Sequence, residues 1–168
     1  MKKSLFGLIL SIAVLNFACS QNPPASARIT VDGKDVKIAF GQPSKKGRVV
    51  FGAEDSKSLE KYGKVWRTGA NDATVITFKK DGMFGGKAVK AGDYGFFSIP
   101  GEKEWVIILN SEPKQWGAYN YKQDKDVLRI TVPAMTSKES VEKLNFEVKD
   151  NALVFMWDMA SFSVPLKF

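Results

Sequence analysis

Apolar and polar positions alternate with period two along most of the chain after residue 28, which is typical of β-strands with one buried face. Ile29 and Val31 begin the pattern, an Asp32-Gly33 turn follows, and residues 36–40 complete a hairpin. Further strand-like segments lie at residues 74–78, 94–99, 104–109, 128–132, 144–148, 153–159 and 162–168. About nine short strands predict an all-β fold, an antiparallel β-sandwich that is jelly-roll-like.

One segment departs from this alternation. Residues 54–62 are charged and polar, and Ser56 is a residue type that caps helices. The sequence therefore predicts one short helix at 54–62, within a single sandwich domain that spans residues 28–168.

The N-terminus has the features of an export signal. Lys2 and Lys3 precede an uncharged, mostly apolar run at residues 5–15, which suits a signal peptide and is shorter than the roughly 20 residues of a membrane span. Ala18 stands directly before Cys19, the only cysteine. Residues 1–18 are predicted to be a signal peptide.

The Ala18-Cys19 pattern resembles a bacterial lipoprotein signal, in which the cysteine is lipidated and becomes the new N-terminus. The alternative is ordinary cleavage at the small residues 25–27. In the lipoprotein interpretation, residues 19–27 form a lipidated tether. By the same resemblance, Ser20 next to the cysteine implies the outer membrane, so we expect a palmitate-bearing anchor and a domain that faces the periplasm.

The composition excludes several kinds of chemistry. The chain has no histidine and one cysteine, which removes Ser-His-Asp and Cys-His catalysis and histidine- or thiolate-based metal sites. No glycine-rich phosphate loop precedes a helix. We therefore expect no metal and no cofactor, and only carboxylate chemistry, Ser-Lys chemistry or an oxygen-ligand calcium site remains open.

The net charge of +7 comes mainly from lysine. Nucleic-acid binding would predict an arginine-rich patch and a known motif, and neither is visible, so we expect no nucleic-acid partner. Two interpretations of the lysines stand: a solvated surface, or contact with anionic membrane headgroups. The sequence leaves the oligomeric state open.

Several blocks of sequence are similar to a known family. They are G-R-V-V-F-G at 47–52, Y-G-K-V-W-R-T-G-A-N-D-A-T at 62–74, A-G-D-Y-G-F-F-S-I-P-G at 91–101 and Q-W-G-A-Y at 115–119. These blocks resemble the domain-of-unknown-function 2911 family of exported bacterial proteins, over nearly all of the chain after residue 25. The resemblance implies an exported β-rich domain and no established activity.

Two segments are candidates for a binding site. The first concentrates Trp66, Arg67, Thr68 and Asn71 where the alternation breaks, and polar residues on a loop held by a sheet are a common site design. Arg67 has a planar fork that suits a carboxylate or sulfate. In the structural interpretation, Trp66 instead fills the core and Arg67 pairs with an acid of the chain, either Asp72 or Glu54.

The second segment, residues 115–121, carries Trp116 and Tyr119. Their rings either stack on a sugar or cover the open end of the sandwich. If both segments line one end of the sandwich, they form a cleft with aromatic walls and an Arg-Asn floor.

These features favour an outer-membrane-anchored periplasmic lipoprotein that acts as a non-catalytic binding or scaffold module. Its partners would be the membrane, through the lipid anchor, and a glycan or an envelope protein. The alternative is a glycosidase-like hydrolase that uses two carboxylates in one cleft. Its candidates are Asp72, Asp93, Glu102 and Glu104.

Overall fold

The computed structural model describes residues 25–168. The predicted signal peptide, Cys19 and the first part of the tether lie outside the described residues. Twelve strands and one 3₁₀ helix form the described part of the chain. They are β1 Arg28–Asp32, β2 Val36–Gly41, β3 Phe51–Gly52, β4 Glu60–Lys61, β5 Thr74–Phe78, β6 Gly82–Phe84, β7 Lys87–Val89, β8 Gly92–Ile99, β9 Glu104–Asn110, the 3₁₀ helix Gln123–Lys125, β10 Asp126–Pro133, β11 Met135–Lys149 and β12 Ala152–Lys167.

The larger sheet has six antiparallel strands in the order β1-β2-β5-β8-β9-β10. The predicted first hairpin is confirmed, and Gly33 N–H donates to the Val36 carbonyl (2.8 Å) in its turn. Because spatial neighbours follow the order of the chain, this sheet is a meander rather than the jelly-roll arrangement that the sequence suggested.

The smaller sheet has the order β11-β12-β6-β7. Asp150 and Asn151 connect β11 to β12 with φ of 51° and 56°, the left-handed pair that a tight hairpin turn requires. Leu166 N–H donates to the Asn151 carbonyl (2.7 Å), so the two ends of β12 lie side by side. The chain therefore reverses direction inside β12, which covers the two segments predicted separately at 153–159 and 162–168.

The two sheets pack through their apolar faces, as the predicted sandwich requires. One buried cluster takes side chains from both sheets, and its centre is aromatic. Phe155 stacks on Phe162 with ring centroids 4.7 Å apart, and Trp66 stacks on Trp157 at 5.8 Å. These rings supply much of the apolar area that stabilises the fold.

The helix predicted at 54–62 is wrong. This segment makes turns and then β4, which pairs in parallel with β3. The backbone donors of Leu59 and Glu60 bond to the carbonyls of Val49 and Val50 (3.0 and 2.8 Å), so they are not available for helical bonds. The Ser56 hydroxyl donates to the Ala53 carbonyl (2.6 Å) instead of capping a helix.

A second, smaller apolar layer lies on the outer face of the six-stranded sheet. Ala73, Phe97 and Ile108 form it, and Phe97 and Ile108 alternate with core residues on the same strands. Residues from two loops cover this layer, including Val65, Ala118 and Tyr121. The six-stranded sheet is therefore covered on both faces at this end. In the described range 25–168, no helix has the length and apolarity needed to cross a membrane.

Candidate functional site

The two candidate segments meet on the outer face of the six-stranded sheet. Gly117 N–H donates to the Asn71 carbonyl (3.0 Å), and Ala73 N–H donates to the Gln115 carbonyl (2.8 Å). Asp72 and Trp116 form an antiparallel bridge between these bonds. Residues about 45 positions apart in the sequence are thus paired in a short ladder. The sequence could say only that the two segments would form a cleft if the fold brought them together.

Two adjacent cavities lie along this ladder, and Trp116 lines both. The smaller, about 130 Å³, is lined by Arg67, Asn71, Trp116, Gly117 and Tyr119. The larger, about 380 Å³, is lined by Arg28, Asp72, Ala73, Val75, Pro113, Lys114, Gln115 and Trp116. We call the two cavities together the Trp116 cleft.

The Trp116 cleft is lined by exposed aromatic rings and by cationic side chains. The Trp116 side chain is 60% exposed and Tyr119 is 84% exposed. Arg67 lines the smaller cavity together with Trp116, and Arg28 and Lys114 line the larger one with it. Large exposed rings at a concave surface are unusual for a structural role, because burying them would stabilise the fold.

Backbone geometry holds the first segment in place. Thr68 and Asn71 have φ of 50° and 63°, conformations that most side chains disfavour. Ala70 N–H donates to the Gly41 carbonyl (3.1 Å), and a Cβ on Gly41 would lie 1.9 Å from the Ala70 carbonyl oxygen. Only glycine at position 41 permits this close approach.

Arg67 is not consumed by the internal pairs that the structural interpretation predicted. Glu54 pairs with Lys64 (2.8 Å), and Asp72 is exposed at the rim of the cleft. Within residues 25–168, the buried Nε of Arg67 has no hydrogen-bond partner. The Arg67 side chain is half-buried and lines the smaller cavity, so a ligand in that cavity lies beside its guanidinium group.

The charge of Arg67 acts on the pKa of one nearby acid, Glu60. Burial raises the pKa of the Glu60 carboxyl to about 7, and the positive charge of Arg67 opposes this rise. The sequence analysis placed Glu60 in a helix and missed it. It also missed Arg28 and Lys114, although Arg28 lies on the polar face of an alternating strand and Lys114 comes two residues before Trp116.

Trp66 and Thr68, two of the predicted ligand-binding residues, are buried and line neither cavity of the cleft. Trp66 is 3% exposed and packs in the sandwich core, as its structural interpretation predicted. The Thr68 hydroxyl is fully buried and bonds to the Ser98 hydroxyl (2.8 Å). Trp66 bridges to Ser98 through the backbone, so both residues anchor the loop on which Arg67 and Asn71 lie.

Asn71 has two roles in the site. It lines the smaller cavity, and its side-chain amide donates to the Ser26 carbonyl (3.0 Å). The cleft therefore lies next to the point where the chain enters the domain. Further along the second segment, Tyr121 packs on Phe97 with ring centroids 5.2 Å apart. Tyr121 therefore covers the outer apolar layer of the sheet, whereas Trp116 and Tyr119 of the same segment are exposed.

The four carboxylates named for hydrolysis do not converge. Asp72 and Glu102 line different cavities, and Asp93 accepts a hydrogen bond from Thr77 (2.6 Å) on the sheet. Glu104 begins β9 and is exposed. No group of three or more candidate metal-ligating side chains was found in the described part of the chain.

A Ser-Lys pair lies elsewhere in the molecule. Lys45 Nζ donates to Ser140 Oγ (2.8 Å) and to Asp158 Oδ1 (2.5 Å), and Ser140 Oγ donates to the same carboxylate (2.8 Å). Burial raises the pKa of Asp158, but the hydrogen bonds from Lys45 and Ser140 bring it below its ordinary value. An ionised carboxylate favours the charged ammonium, whereas a Ser-Lys nucleophile needs the neutral amine.

The family comparison agrees with the resemblance read from the sequence blocks. A family model described as "Protein of unknown function (DUF2911)" matches residues 22–166, a range that includes every residue of the Trp116 cleft. Neither the search of curated proteins nor the search of solved structures returned a match.

Proposed function

The chain belongs to the DUF2911 family, and from the geometry of this member we propose that it is a non-catalytic binding module of the bacterial cell envelope. The observation that carries the proposal is the pair of exposed rings, Trp116 and Tyr119, which line the same cavity as the Arg67 side chain. The ligand occupies the Trp116 cleft.

The chemistry of the cleft favours an acidic glycan. Sugar rings present apolar C–H faces that stack on indole and phenol rings, and the Arg67 fork binds a carboxylate or sulfate in two parallel bonds. Three cations, Arg28, Arg67 and Lys114, line the cleft against one acid, Asp72. Because Trp116 lines both cavities, an oligosaccharide lying across its ring can occupy both at once.

The cell-envelope assignment is supported by the N-terminal pattern. The Lys2-Lys3 pair, the apolar run and the Ala18-Cys19 dipeptide fit a lipid-anchored protein of the outer membrane that faces the periplasm. Mass spectrometry of the protein from membranes tests this part. An uncleaved leader or an unmodified Cys19 contradicts it.

Isothermal titration against peptidoglycan fragments and oligosaccharides, both neutral and acidic, tests the ligand. We expect binding of an acidic glycan that Trp116→Ala weakens at least about tenfold, as for other central aromatic anchors. Trp116→Phe should retain most of the affinity, because it keeps an aromatic ring at this position. Arg67→Gln should weaken binding of the acidic glycan and leave a neutral one nearly unchanged.

Met83→Ala is the matched control, because Met83 is an exposed apolar residue of β6 that lines neither cavity of the cleft. Its affinity should equal that of the wild type. No heat with any glycan, or equal losses in Met83→Ala and Trp116→Ala, contradicts the proposal.

A further inference from the structure

A basic groove lies at the point where the chain enters the domain. It has a volume of about 610 Å³ and is lined by Ser26, Ala27, Gln42, Pro43, Ser44, Lys46, Arg48 and Lys143. We call it the tether groove. Its lining contains three cations and no acid, and all three cationic residues are exposed.

The turn that carries two of these cations is well ordered by its own bonds. Lys46 and Gly47 have φ of 48° and 70°, and the Arg48 guanidinium donates to the carbonyls of Lys45 and Ser44 (2.9 and 2.7 Å). Arg48 is therefore held at the surface. Val49, the next residue, is 61% exposed, so an apolar side chain accompanies the cations.

The acids around the groove do not neutralise it. Glu142 uses one carboxylate oxygen to accept the backbone N–H of Lys46 (2.9 Å). Asp158 is paired with Lys45, which is not among the residues that line the groove. Even with the negative charge of Glu142 beside it, the groove lined by Lys46, Arg48 and Lys143 keeps a net positive charge.

The tether fixes how far this groove can lie from a lipid anchor. Gln42 N–H donates to the Ala27 carbonyl (2.7 Å), and Asn71 holds Ser26, so the chain leaves the domain at this place. Ser26 follows Cys19 by seven positions. Seven residues span at most about 25 Å when fully extended, so a membrane that holds an acyl chain on Cys19 lies within that distance.

We propose that the tether groove is the face that the domain lays on the membrane, where Lys46, Arg48 and Lys143 contact the phosphates of anionic phospholipids. This inference rests on the proposed anchoring at Cys19. Each basic residue near an anionic bilayer strengthens binding about fivefold, and the attraction acts within a Debye length of roughly 10 Å at 0.1 M salt. In this arrangement the Trp116 cleft lies close to the membrane surface, since Asn71 both lines the cleft and holds Ser26 of the tether attachment.

Co-sedimentation with vesicles tests the groove in a protein that lacks the acyl chain on residue 19. The protein is the chain from residue 19 onward with Cys19→Ser, and the vesicles contain phosphatidylglycerol and phosphatidylethanolamine or a zwitterionic phospholipid alone. We expect binding to the anionic vesicles only, and loss of that binding at high ionic strength. The double variant Lys46→Gln/Lys143→Gln should bind about 25-fold more weakly.

The matched control is Lys34→Gln/Lys167→Gln, which removes the same charge from the other end of the sandwich. Lys34 lies in the β1–β2 turn, beyond a five-residue strand about 17 Å long. It shares a cavity with Leu166, the neighbour of Lys167. Equal losses in the two double variants overturn the proposal, because net charge alone would then explain binding.

Two other results also overturn it: no binding of the wild type to anionic vesicles, or displacement by inorganic phosphate at constant ionic strength, which would identify a free-anion site. The outcome is separable from that of the proposed function. An unmodified Cys19 with vesicle binding intact refutes the anchoring alone. An acylated Cys19 with no vesicle binding refutes only the groove, and glycan titration remains an independent test of the cleft.

Discussion

Glu60 makes the stability of this protein depend on pH in a window where the chain has no histidine to titrate. Burial raises the pKa of its carboxyl from 4.5 to about 7, in spite of the positive charge of Arg67. Below pH 4.5 the carboxyl is protonated in both the folded and the unfolded chain. Between pH 4.5 and 7 the unfolded chain loses this proton first, so folding becomes less favourable as the pH rises.

The size of the effect follows from the two pKa values. A tenfold change in proton affinity is worth about 1.36 kcal/mol, so the contribution that is complete below pH 4.5 and lost above pH 7 is up to about 3 kcal/mol. For a domain of this size, that corresponds to a decrease in Tm of roughly 6–12 °C.

Glu60→Gln removes the titration and keeps the shape of the side chain. At pH 5 the variant and the wild type should unfold at similar urea concentrations, because Glu60 is protonated in the folded protein and the pH is only half a unit above the pKa of 4.5 in the unfolded chain. At pH 8 the variant should be more stable by up to about 3 kcal/mol. Urea unfolding followed by tryptophan fluorescence at half-unit pH steps measures the difference.

Glu54→Gln is the control. Glu54 is exposed, and its hydrogen bond with Lys64 lowers the pKa of its carboxyl, so its contribution is lost only as the pH falls through the acid range. Between pH 5 and 8 this variant should keep the wild-type slope of stability against pH. A Glu60→Gln variant with the wild-type slope would refute the reasoning, because it would mean that Glu60 is ionised in the folded protein near pH 5.

Two further substitutions test the packing and the ion pair. Phe155 is fully buried among Phe162, Trp105 and Phe146, so Phe155→Ala should lower the free energy of unfolding by about 3–5 kcal/mol, and a loss below 1 kcal/mol in urea unfolding would contradict this packing. Asp158→Ala removes the partner of Lys45 at a position with φ of 53° and should cost about 2 kcal/mol. Asp158→Asn should cost less, since asparagine tolerates the left-handed conformation. Because the pKa of Asp158 lies below its ordinary value, its contribution is lost as the pH falls below 4, and acid unfolding of Asp158→Ala should lack that loss.

Period-two alternation was enough to predict the main strands. Segments such as β2, with Val36, Ile38 and Phe40 facing the core, have one buried and one polar face whatever their neighbours are. Strands of two or three residues, such as β3, β4 and β6, are too short to show a period, which is one reason why about nine strands were predicted and twelve lie within residues 25–168.

The helix at 54–62 fails for a different reason. Local residue types favoured a helix only weakly, and pairing with 49–52 decided the conformation of the segment, since it satisfies the same backbone donors. The role of Trp66 was also decided by residues that are distant in the sequence. A tryptophan in a polar segment suits a core or a binding site equally well until its neighbours are known.

By itself, the sequence determined the class of fold, the family and the kinds of chemistry that are excluded, because periodicity, short motifs and the absence of histidine are properties of the linear chain. The tertiary structure decided which candidate residues act together. It separated Trp66 and Thr68 from Arg67, joined Asn71 to Trp116, and brought Lys46 and Lys143 to the tether. These pairings span tens of residues, and their register depends on how strands pair and sheets stack, which no local pattern encodes.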